Sequence, residues 1–365
     1  MPANSVPWPI EPHTRAKHAL YRQYLSKWFP IMASGWGGNV TYAEGFAGPG
    51  VYKDGSPGSP VIALRVLLDN ERLRTHYHRM RLLFVDHDAR CIEMLPRQLE
   101  RAAEPVPLDR LSRYGIDIDI RRGDCDPTLE QLLTERRAWD RPMLVVLDTW
   151  GGAVPIALVQ RVAKNVSSEV LITIQPQYFA RFAEVDSIEH GDEVFGGTDW
   201  RRVHKLPSDH KARWLLQHYR DVIRNSGFAF VLDFELIDTR GHALYLVFGT
   251  THVRGLEKMK EAMWEVDDIS GVGYRDPRDP DQQTLEIVIE PNVEPLKRLL
   301  VDELRRKGAQ GETVHRLRRF ALLRTVFKAS QVLPALRALE EAGLIETVEQ
   351  GEVGYKSTVR IAQPA

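Results

Sequence analysis

The sequence predicts an α/β fold, in which a doubly wound sheet of parallel strands is closed by an antiparallel hairpin and followed by a small winged-helix domain. Three observations predict it. Short apolar runs alternate with helical segments up to Ile174, two apolar runs then follow each other across a short turn, and the last part combines helical segments with two β-like runs. We place the domain boundary at residue 291, which gives domains of residues 1–290 and 291–365.

The first helix is predicted over Thr14–Ile31, with Thr14 as its N-cap and Pro30 as its end. Its apolar face contains Leu20, Tyr24, Leu25, Trp28 and Phe29. Strands are predicted at Val40–Glu44, Arg81–Asp86, Ile116–Arg121, Met143–Asp148 and Val170–Ile174, and helices at Ser59–Leu68, Ala89–Glu104 and Pro155–Lys164. Strands separated by helices in this way form parallel sheets.

The pattern changes at Phe228–Asp238, because a second apolar run, His242–Thr250, follows after only three residues. Two strands joined so tightly must be antiparallel. Parallel strands closed by such a hairpin resemble the sheet of class I methyltransferases, whereas a nicotinamide-binding Rossmann domain keeps its last strand parallel. A nicotinamide-dependent oxidoreductase is therefore disfavoured.

The composition is that of a soluble globular protein, with 43% hydrophobic and 27% charged residues and a net charge of −1. Cys91 and Cys125 are the only cysteines, and their spacing predicts neither a disulfide framework nor a structural zinc site. The chain begins without the pattern of a secretory signal, and no stretch of about 18 apolar residues occurs. These features predict a cytoplasmic location and no membrane partner.

A glycine-rich loop, AEGFAGPGVYKDGSPGSP, covers Ala43–Pro60 and follows the first predicted sheet strand. The carboxyl ends of the strands are where doubly wound folds bind ligands, and Gly48 and Gly50 would let the backbone approach one closely. The dinucleotide motif GxGxxG is not satisfied, because Lys53 occupies the third glycine position, and no Walker motif occurs. A loop that offers Glu44 suits S-adenosylmethionine, which has a cationic amino-acid tail and no phosphates.

Acidic residues follow the other strands. Asp86 is predicted to accept hydrogen bonds from ribose hydroxyls, Asp124 to accept from the adenine amino group, and Asp148 to border the reacting methyl group. Each of them could instead be a helix N-cap, and the loop an ordinary turn. Phe46 and Cys125 complete the predicted cofactor site, although a plain buried thiol is the simpler interpretation of Cys125, since its acidic neighbours disfavour a thiolate.

The run EGFAGPGVYKDGSPGSPVIAL resembles the glycine motif of the three-Cys-motif partner proteins (TcmP), a bacterial family with a class I methyltransferase-like fold. KHALYRQYLSKWFPI, FGGTDW and YLVFGTTHVRGLEKMKEAMWEVD resemble it too. The resemblance implies a protein that binds S-adenosylmethionine and is encoded beside a partner protein with three cysteines. In one departure, relatives tend to read Asp-Pro-Phe-Gly after the fourth strand, where this chain has Asp148-Thr149-Trp150-Gly151.

Methyl transfer is an in-line displacement, so positioning can supply most of the catalysis. Asp148 and Trp150 are the predicted catalytic pair: the carboxylate would accept protons from an amine and the ring would stack on a base. Core packing explains Trp150 equally well. Lys17 and His18 could close over the cofactor carboxylate or act as a base, with surface or packing roles as the simpler alternative. Trp200 lies in a long insertion, residues 175–210, that could form a lid.

The carboxyl-terminal part predicts a winged helix, with helices at Thr313–Arg324 and Ser330–Ala342 and strands at Leu344–Val348 and Ser357–Ile361. The segment from residue 302 to residue 337 contains nine basic residues and three acidic ones. Such an excess attracts nucleic-acid phosphates. A protein-docking module is the alternative, because Arg337 is the only basic residue of the second helix.

Two functional hypotheses follow. The first is an S-adenosylmethionine-dependent methyltransferase that acts on nucleic acid or a nucleotide-like group and works with a three-cysteine partner. The second is a non-catalytic, methyltransferase-like scaffold that binds its partner and nucleic acid. Glu44, Gly48, Gly50 and Asp86 favour the first hypothesis, and the missing proline after Asp148 favours the second.

Overall fold

The computed structural model describes residues 6–35, 37–71, 73, 79–149, 154, 156–183, 189–238, 240–275, 293–349 and 351–362. The chain forms two compact units, Met1–Leu256 with Gly273–Gln282 and Glu257–Val272 with Gln283–Ala365. The predicted boundary at residue 291 lies outside the described residues and stays a prediction. None of the described helices has the length and apolar character needed to span a bilayer.

The first unit is built on a mostly parallel sheet with the strand order β3-β2-β1-β4-β5-β7-β6-β8. β7 is antiparallel to both of its neighbours, and the other neighbouring strands are parallel to each other. The predicted parallel sheet and its closing hairpin are therefore confirmed. The strands are β1 Asn39–Glu44, β2 Arg79–Asp86, β3 Ile116–Arg122, β4 Met143–Leu147, β5 Ser168–Ile174, β6 Phe230–Ile237, β7 Ala243–Thr250 and β8 Gly273–Arg275.

The central strands β4 and β5 are buried along their whole length, as strands covered by helices on both faces must be. β8 was missed by the sequence pattern, because it is short and lies in a charged, Gly- and Pro-bearing stretch that predicts a loop. The helices of this unit are α1 Pro12–Gly35, α2 Ser59–Asp69, α3 Ala89–Ala103, α4 Cys125–Glu135, α5 Ile156–Ala163, α6 Pro176–Phe182, α7 Glu189–Phe195 and α8 Ser208–Asn225, and α9 Val253–Val266 begins in it.

Helix α1 is longer at both ends than predicted. Thr14 is a buried residue inside the helix and not its N-cap, and Pro30 lies within the helix and does not end it. An interior proline removes one backbone hydrogen bond, and the buried side chains on either side of it, Phe29 and Ala33, keep the helix against the core. The predicted apolar face of the helix is confirmed as buried.

Trp200 is fully buried in the main hydrophobic core of the first unit. Its ring stacks on Phe195 with the ring centres 5.3 Å apart, and its Nε1 donates to Asp192 Oδ1 at 2.7 Å. The predicted lid role does not fit this position, since the ring packs inside the core. The described parts of this insertion, residues 175–183 and 189–210, contain short helices, and their buried residues Phe179, Val194 and Phe195 belong to the same core.

The second unit contains α10 Glu294–Lys307, β9 Glu312–Thr313, α11 Val314–Arg324, α12 Val332–Glu341, β10 Ile345–Thr347 and β11 Thr358–Ile361. The strands form an antiparallel sheet in the order β10-β11-β9. Thr313 Oγ1 caps α11 by accepting from Arg316 N. The predicted helices and strands are confirmed here, except that Ser330 lies in the 3-10 turn Ala329–Gln331 and is not the N-cap of α12.

Candidate functional site

The glycine-rich loop leaves the carboxyl end of β1 at Glu44 and enters α2 at Ser59. Gly48 and Gly50 have φ angles of +65° and +75°, a region that favours glycine. A Cβ on Gly50 would come within 2.7 Å of Leu95 Cδ1, so this position also needs the absence of a side chain. Gly58 N donates to Gly50 O at 2.8 Å and closes the loop.

A cleft of about 370 Å³, measured with its open mouth included, lies against this loop. We call it the glycine-loop cleft. The sequence predicted four of its lining residues, Phe46, Gly48, Gly50 and Asp148, and also singled out His18. It missed Trp8, Tyr52 and Ser59, which line the cleft as well.

Trp8 reaches the cleft from the chain segment that precedes α1. Its backbone O accepts a hydrogen bond from Lys53 N at 3.0 Å, and its ring would lie 3.5 Å from a Cβ on Gly48. The segment therefore packs over the glycine-rich loop. No local pattern in the sequence identifies this contact, because Trp8 and Gly48 are brought together by the tertiary fold.

Glu44 is buried behind the loop, with 1% of its surface exposed. Tyr42 Oη donates to Glu44 Oε1 at 2.8 Å and Ser59 Oγ donates to Oε2 at 2.6 Å. Burial raises the pKa of the Glu44 carboxyl to about 8, although the two hydroxyl donors oppose that rise. Glu44 is connected to the cleft through Ser59, which lines it.

Asp86 ends β2 and is 7% exposed. Its Oδ2 accepts from Gly48 N at 2.8 Å, and its Oδ1 accepts from Asp88 N at 2.8 Å. The carboxylate therefore fixes the glycine-rich loop onto the second strand. The N-cap interpretation belongs to the neighbouring Asp88, whose side chain accepts from Arg90 N at the start of α3.

Asp148 directly follows β4 and forms an ion pair with Lys17 of α1, in which the Lys17 side chain is 2% exposed and that of Asp148 12%. Its Oδ1 accepts from Thr173 Oγ1 at 3.0 Å. Burial acts to raise the pKa of Asp148, but Lys17 and the hydrogen bonds outweigh it, and the net pKa is lowered. The carboxylate is thus ionised, with both oxygens engaged by protein groups. Trp150, the predicted partner of Asp148, lies outside the described residues.

His18 is 7% exposed and lies beside Lys17 on α1. Its Nε2 is 3.5 Å from Tyr52 Oη. Burial, with the Lys17 charge adding to it, lowers the pKa of His18 to about 3, so the imidazole is neutral at physiological pH. A neutral ring at the cleft can donate a hydrogen bond to a ligand or accept one from it, but it cannot form an ion pair with a carboxylate.

Four predicted cofactor residues lie outside the lining of the cleft: Glu44 and Asp86, which contact the glycine-rich loop from behind, and Asp124 and Cys125. Asp124 is exposed at the N-terminal end of α4, where its side chain makes no capping hydrogen bond. Cys125 is buried, and a Cβ on Gly45 would come within 2.4 Å of its Sγ. Burial raises the pKa of the Cys125 thiol to about 12, which agrees with the interpretation as a plain buried thiol.

No family model matches the chain, and no curated protein matches it. Among solved structures, it is similar to Trm1 from Pyrococcus horikoshii in complex with S-adenosyl-L-methionine, with 11% identity, a TM-score of 0.36 and coverage of 68% of this chain and 58% of that one. It is also similar to spermidine synthase from Thermotoga maritima (9% identity, TM-score 0.33, 66% and 62% covered) and to the delta-N METTL16 MTase domain (9%, 0.32, 63% and 82%).

The chain thus spans less than two thirds of the length of the first two structures. Similarities at this identity and these TM-scores carry no argument about ligand or activity. What can be inferred about function depends on the strand order and on the geometry of the glycine-loop cleft.

Proposed function

We propose that the protein binds S-adenosylmethionine in the glycine-loop cleft and transfers its methyl group to nucleic acid or a nucleotide-like group. In this proposal it is a cytoplasmic member of the TcmP-like proteins and works with a three-cysteine partner. The observation that carries the proposal is a glycine-rich loop at the carboxyl edge of a sheet with the methyltransferase strand order, backed by a buried glutamate.

The residues of the cleft fit this ligand. Gly48 leaves backbone without a side chain beside the Trp8 ring at the cleft, so a nucleoside can approach closely there, whereas the missing side chain of Gly50 makes room for Leu95. Trp8 and Phe46 offer aromatic surface to a planar base.

S-adenosylmethionine supplies a methyl group on a sulfonium, which an acceptor displaces in line. The chain's own residues have to position that acceptor and receive any proton it loses. Asp148 is the ionised group at the cleft, and Lys17 and Thr173 fix its orientation. In the proposed site, Asp148 orients an amino group of the acceptor, and Lys17 keeps the carboxylate charged although it is buried.

The nucleic-acid target depends on the second unit, which we propose to be a winged helix. Its order of helices and strands, α10-β9-α11-α12-β10-β11, agrees with that fold. Several of its basic residues already pair with carboxylates of the same unit: Arg305 with Asp302, Arg306 with Glu303, and Lys307 and Arg316 with Glu312. Arg305 and Asp302 are both exposed, and an exposed pair contributes only about 0–1 kcal/mol, so a phosphate can compete for Arg305.

Calorimetric titration with S-adenosylmethionine, and separately with NADH, tests the cofactor. We expect binding of the former only, lost in Glu44→Ala and kept in the control Glu169→Gln, which alters a buried glutamate elsewhere in the sheet. With labelled S-adenosylmethionine and a nucleic-acid substrate, Asp148→Ala should lose turnover and keep most of the affinity for the cofactor. Equal binding by wild type and Glu44→Ala would remove the glycine-loop cleft from the proposal.

Nucleic-acid binding is tested with Arg319→Gln and Arg324→Gln, which change exposed basic residues of α11. Each phosphate contact that is lost should reduce the slope of log affinity against log salt by about 0.9 for duplex DNA, or about 0.7 for a single strand. Arg337→Gln makes the same change on α12. An unchanged slope in all three variants would exclude Arg319, Arg324 and Arg337 as phosphate ligands.

One observation favours the second candidate function, a non-catalytic scaffold. Both oxygens of Asp148 are already engaged, by Lys17 and Thr173, so an acceptor amine would have to share or displace one of these contacts. A scaffold predicts that the protein binds nucleic acid and its partner but produces no methylated product with the partner present. Labelled product in that assay excludes the scaffold.

A further inference from the structure

A second pocket lies at the opposite edge of the sheet, where the strands begin. It has a volume of about 250 Å³ with its opening included, and Arg79, Arg81 and Arg136 line it together with Asp117 and Asp119. Arg81 is five residues before Asp86 on β2, which places the two about 16 Å apart along the strand. The pocket is therefore distinct from the glycine-loop cleft.

Two of the three arginines are exposed and already paired. Arg79 Nε is 3.5 Å from Asp117 Oδ2, and Arg136 Nε donates to Asp119 Oδ2 at 2.6 Å. Arg81 differs, because it is only 3% exposed and makes no ion pair among the described residues. The Nη1 atom of Arg81 donates a hydrogen bond to Asn39 Oδ1, a neutral amide oxygen.

Within the part of the chain that the structure describes, Arg81 Nε has no hydrogen-bond partner. A buried donor without a partner costs free energy, and a buried cation without a counter-charge costs more. Burial and the nearby charges of Arg79 and Arg141 lower the pKa of Arg81, and the attraction of the Asp117 carboxylate offsets them only in part. The lining itself has three cations and two anions, so one positive charge is left over.

A second unpaired atom lies next to Arg81. Thr41 of β1 pairs with Arg81 in the sheet register, so the two side chains lie on the same face. Thr41 is fully buried, and its Oγ1 also has no hydrogen-bond partner among the residues that the structure describes. A buried hydroxyl and a buried guanidinium Nε on the same face of the sheet therefore both lack an acceptor, although Thr41 does not itself line the pocket.

We propose that this pocket binds a phosphate group, with Arg81 as the central ligand and Arg79 and Arg136 at its sides. A phosphate offers several acceptor oxygens and a charge that complements the excess positive charge, and arginine binds it in a fixed two-donor geometry. The phosphate is either inorganic phosphate or the terminal phosphate of a nucleotide chain, and the test separates these two sources.

Thermal unfolding of the full chain is measured with increasing inorganic phosphate and, in parallel, with sodium chloride at equal ionic strength. We expect phosphate to produce a saturable rise in Tm of roughly several degrees, as a ligand that binds only the folded state does. The rise should be lost in Arg81→Gln and kept in Arg101→Gln, a control that removes an exposed arginine from the last turn of α3. Equal rises in wild type and Arg81→Gln would overturn the proposal.

A direct measurement covers the case in which Arg81→Gln does not fold. In wild-type protein labelled with 15N-arginine, the Nε–H resonance of an arginine should shift with phosphate and not with chloride; no shifting Nε signal overturns the proposal. A short oligonucleotide with a 5′-phosphate is then compared with the same oligonucleotide without it. A larger shift of the Nε–H resonance with the phosphorylated oligonucleotide identifies a nucleotide phosphate as the ligand. Equal shifts with the two oligonucleotides, together with a shift caused by inorganic phosphate, identify free phosphate as the ligand.

Discussion

Two buried glutamates on the same sheet have nearly identical partners and different surroundings. Glu44 ends β1 and accepts hydrogen bonds from Tyr42 and Ser59. Glu169 lies near the start of β5 and accepts from Tyr24 Oη at 2.5 Å and Thr250 Oγ1 at 2.9 Å. Both are 1% exposed, and burial raises their pKa values, to about 8 and about 7.

The difference lies in what surrounds each hydroxyl partner. Ser59 lines the glycine-loop cleft, whereas Tyr24 packs its ring edge-on against Phe248 with the centres 5.2 Å apart. Helix α1 contacts both regions. Lys17 forms an ion pair with Asp148, and Tyr24, which lies about 10 Å further along the helix, donates a hydrogen bond to Glu169. A buried charge or a raised pKa therefore does not by itself indicate a functional site; the adjoining cleft does.

The largest effect on stability is expected from Lys17→Met, which leaves the buried Asp148 carboxylate without its cation. Removing one member of a buried ion pair costs about 3–5 kcal/mol. Urea unfolding measures the change. The double variant Lys17→Met/Asp148→Leu should recover much of the loss, since it buries no charge, and a double variant as unstable as the single one would mean that Lys17 acts through packing.

Glu169→Ala is expected to cost about 2–4 kcal/mol, because two buried hydroxyls, those of Tyr24 and Thr250, lose their acceptor. Its affinity for S-adenosylmethionine should be unchanged once the folded fraction is taken into account. Glu44→Ala should lose that affinity. Calorimetric titration of both variants with S-adenosylmethionine, at a temperature where both are folded, checks the contrast. A weaker affinity in Glu169→Ala than in the wild type would contradict it.

The two carboxyls should also differ in their pH dependence. A carboxyl with a raised pKa in the folded state contributes stability at low pH that is lost as pH rises through the folded pKa. Between pH 7 and 8, Glu44 should therefore reduce the free energy of unfolding by about 1 kcal/mol and Glu169 by about a third of that. Unfolding of Glu44→Gln and Glu169→Gln at both pH values isolates each contribution. If Glu169→Gln removes more of the decrease in the free energy of unfolding between pH 7 and 8 than Glu44→Gln does, the order of the two pKa values is reversed.

The smallest effect on stability is expected from Trp8→Ala, within about 0.5 kcal/mol, because this partly exposed ring lies on a segment outside the main core. An aromatic contact contributes about 0.5–1.5 kcal/mol, so affinity for S-adenosylmethionine should fall by up to about tenfold. Trp8→Phe keeps an aromatic ring and should retain most of it. Equal affinity in Trp8→Ala would exclude the ring from the ligand contact.

The strand and helix pattern of the first unit could be predicted because it is local. Fully apolar runs such as MLVVL and VLITI are buried on both faces, and the short turn after β6 forces an antiparallel pair. The prediction went wrong at Pro30, where packing of neighbouring side chains outweighs the local effect of a proline. It also missed β8, which three residues and a pairing with β6 define.

By itself, the sequence determined that a glycine-rich loop follows the first strand and that acidic residues end its neighbours, since turn chemistry and strand ends are written in adjacent residues. Only the tertiary structure decided what those residues contact. It paired Asp148 with Lys17 across 131 positions of the chain, gave Asp86 to the amide of Gly48, and brought Trp8 to the cleft. Hydrogen bonds and ion pairs of this kind depend on distance in space and on burial, which no local pattern contains.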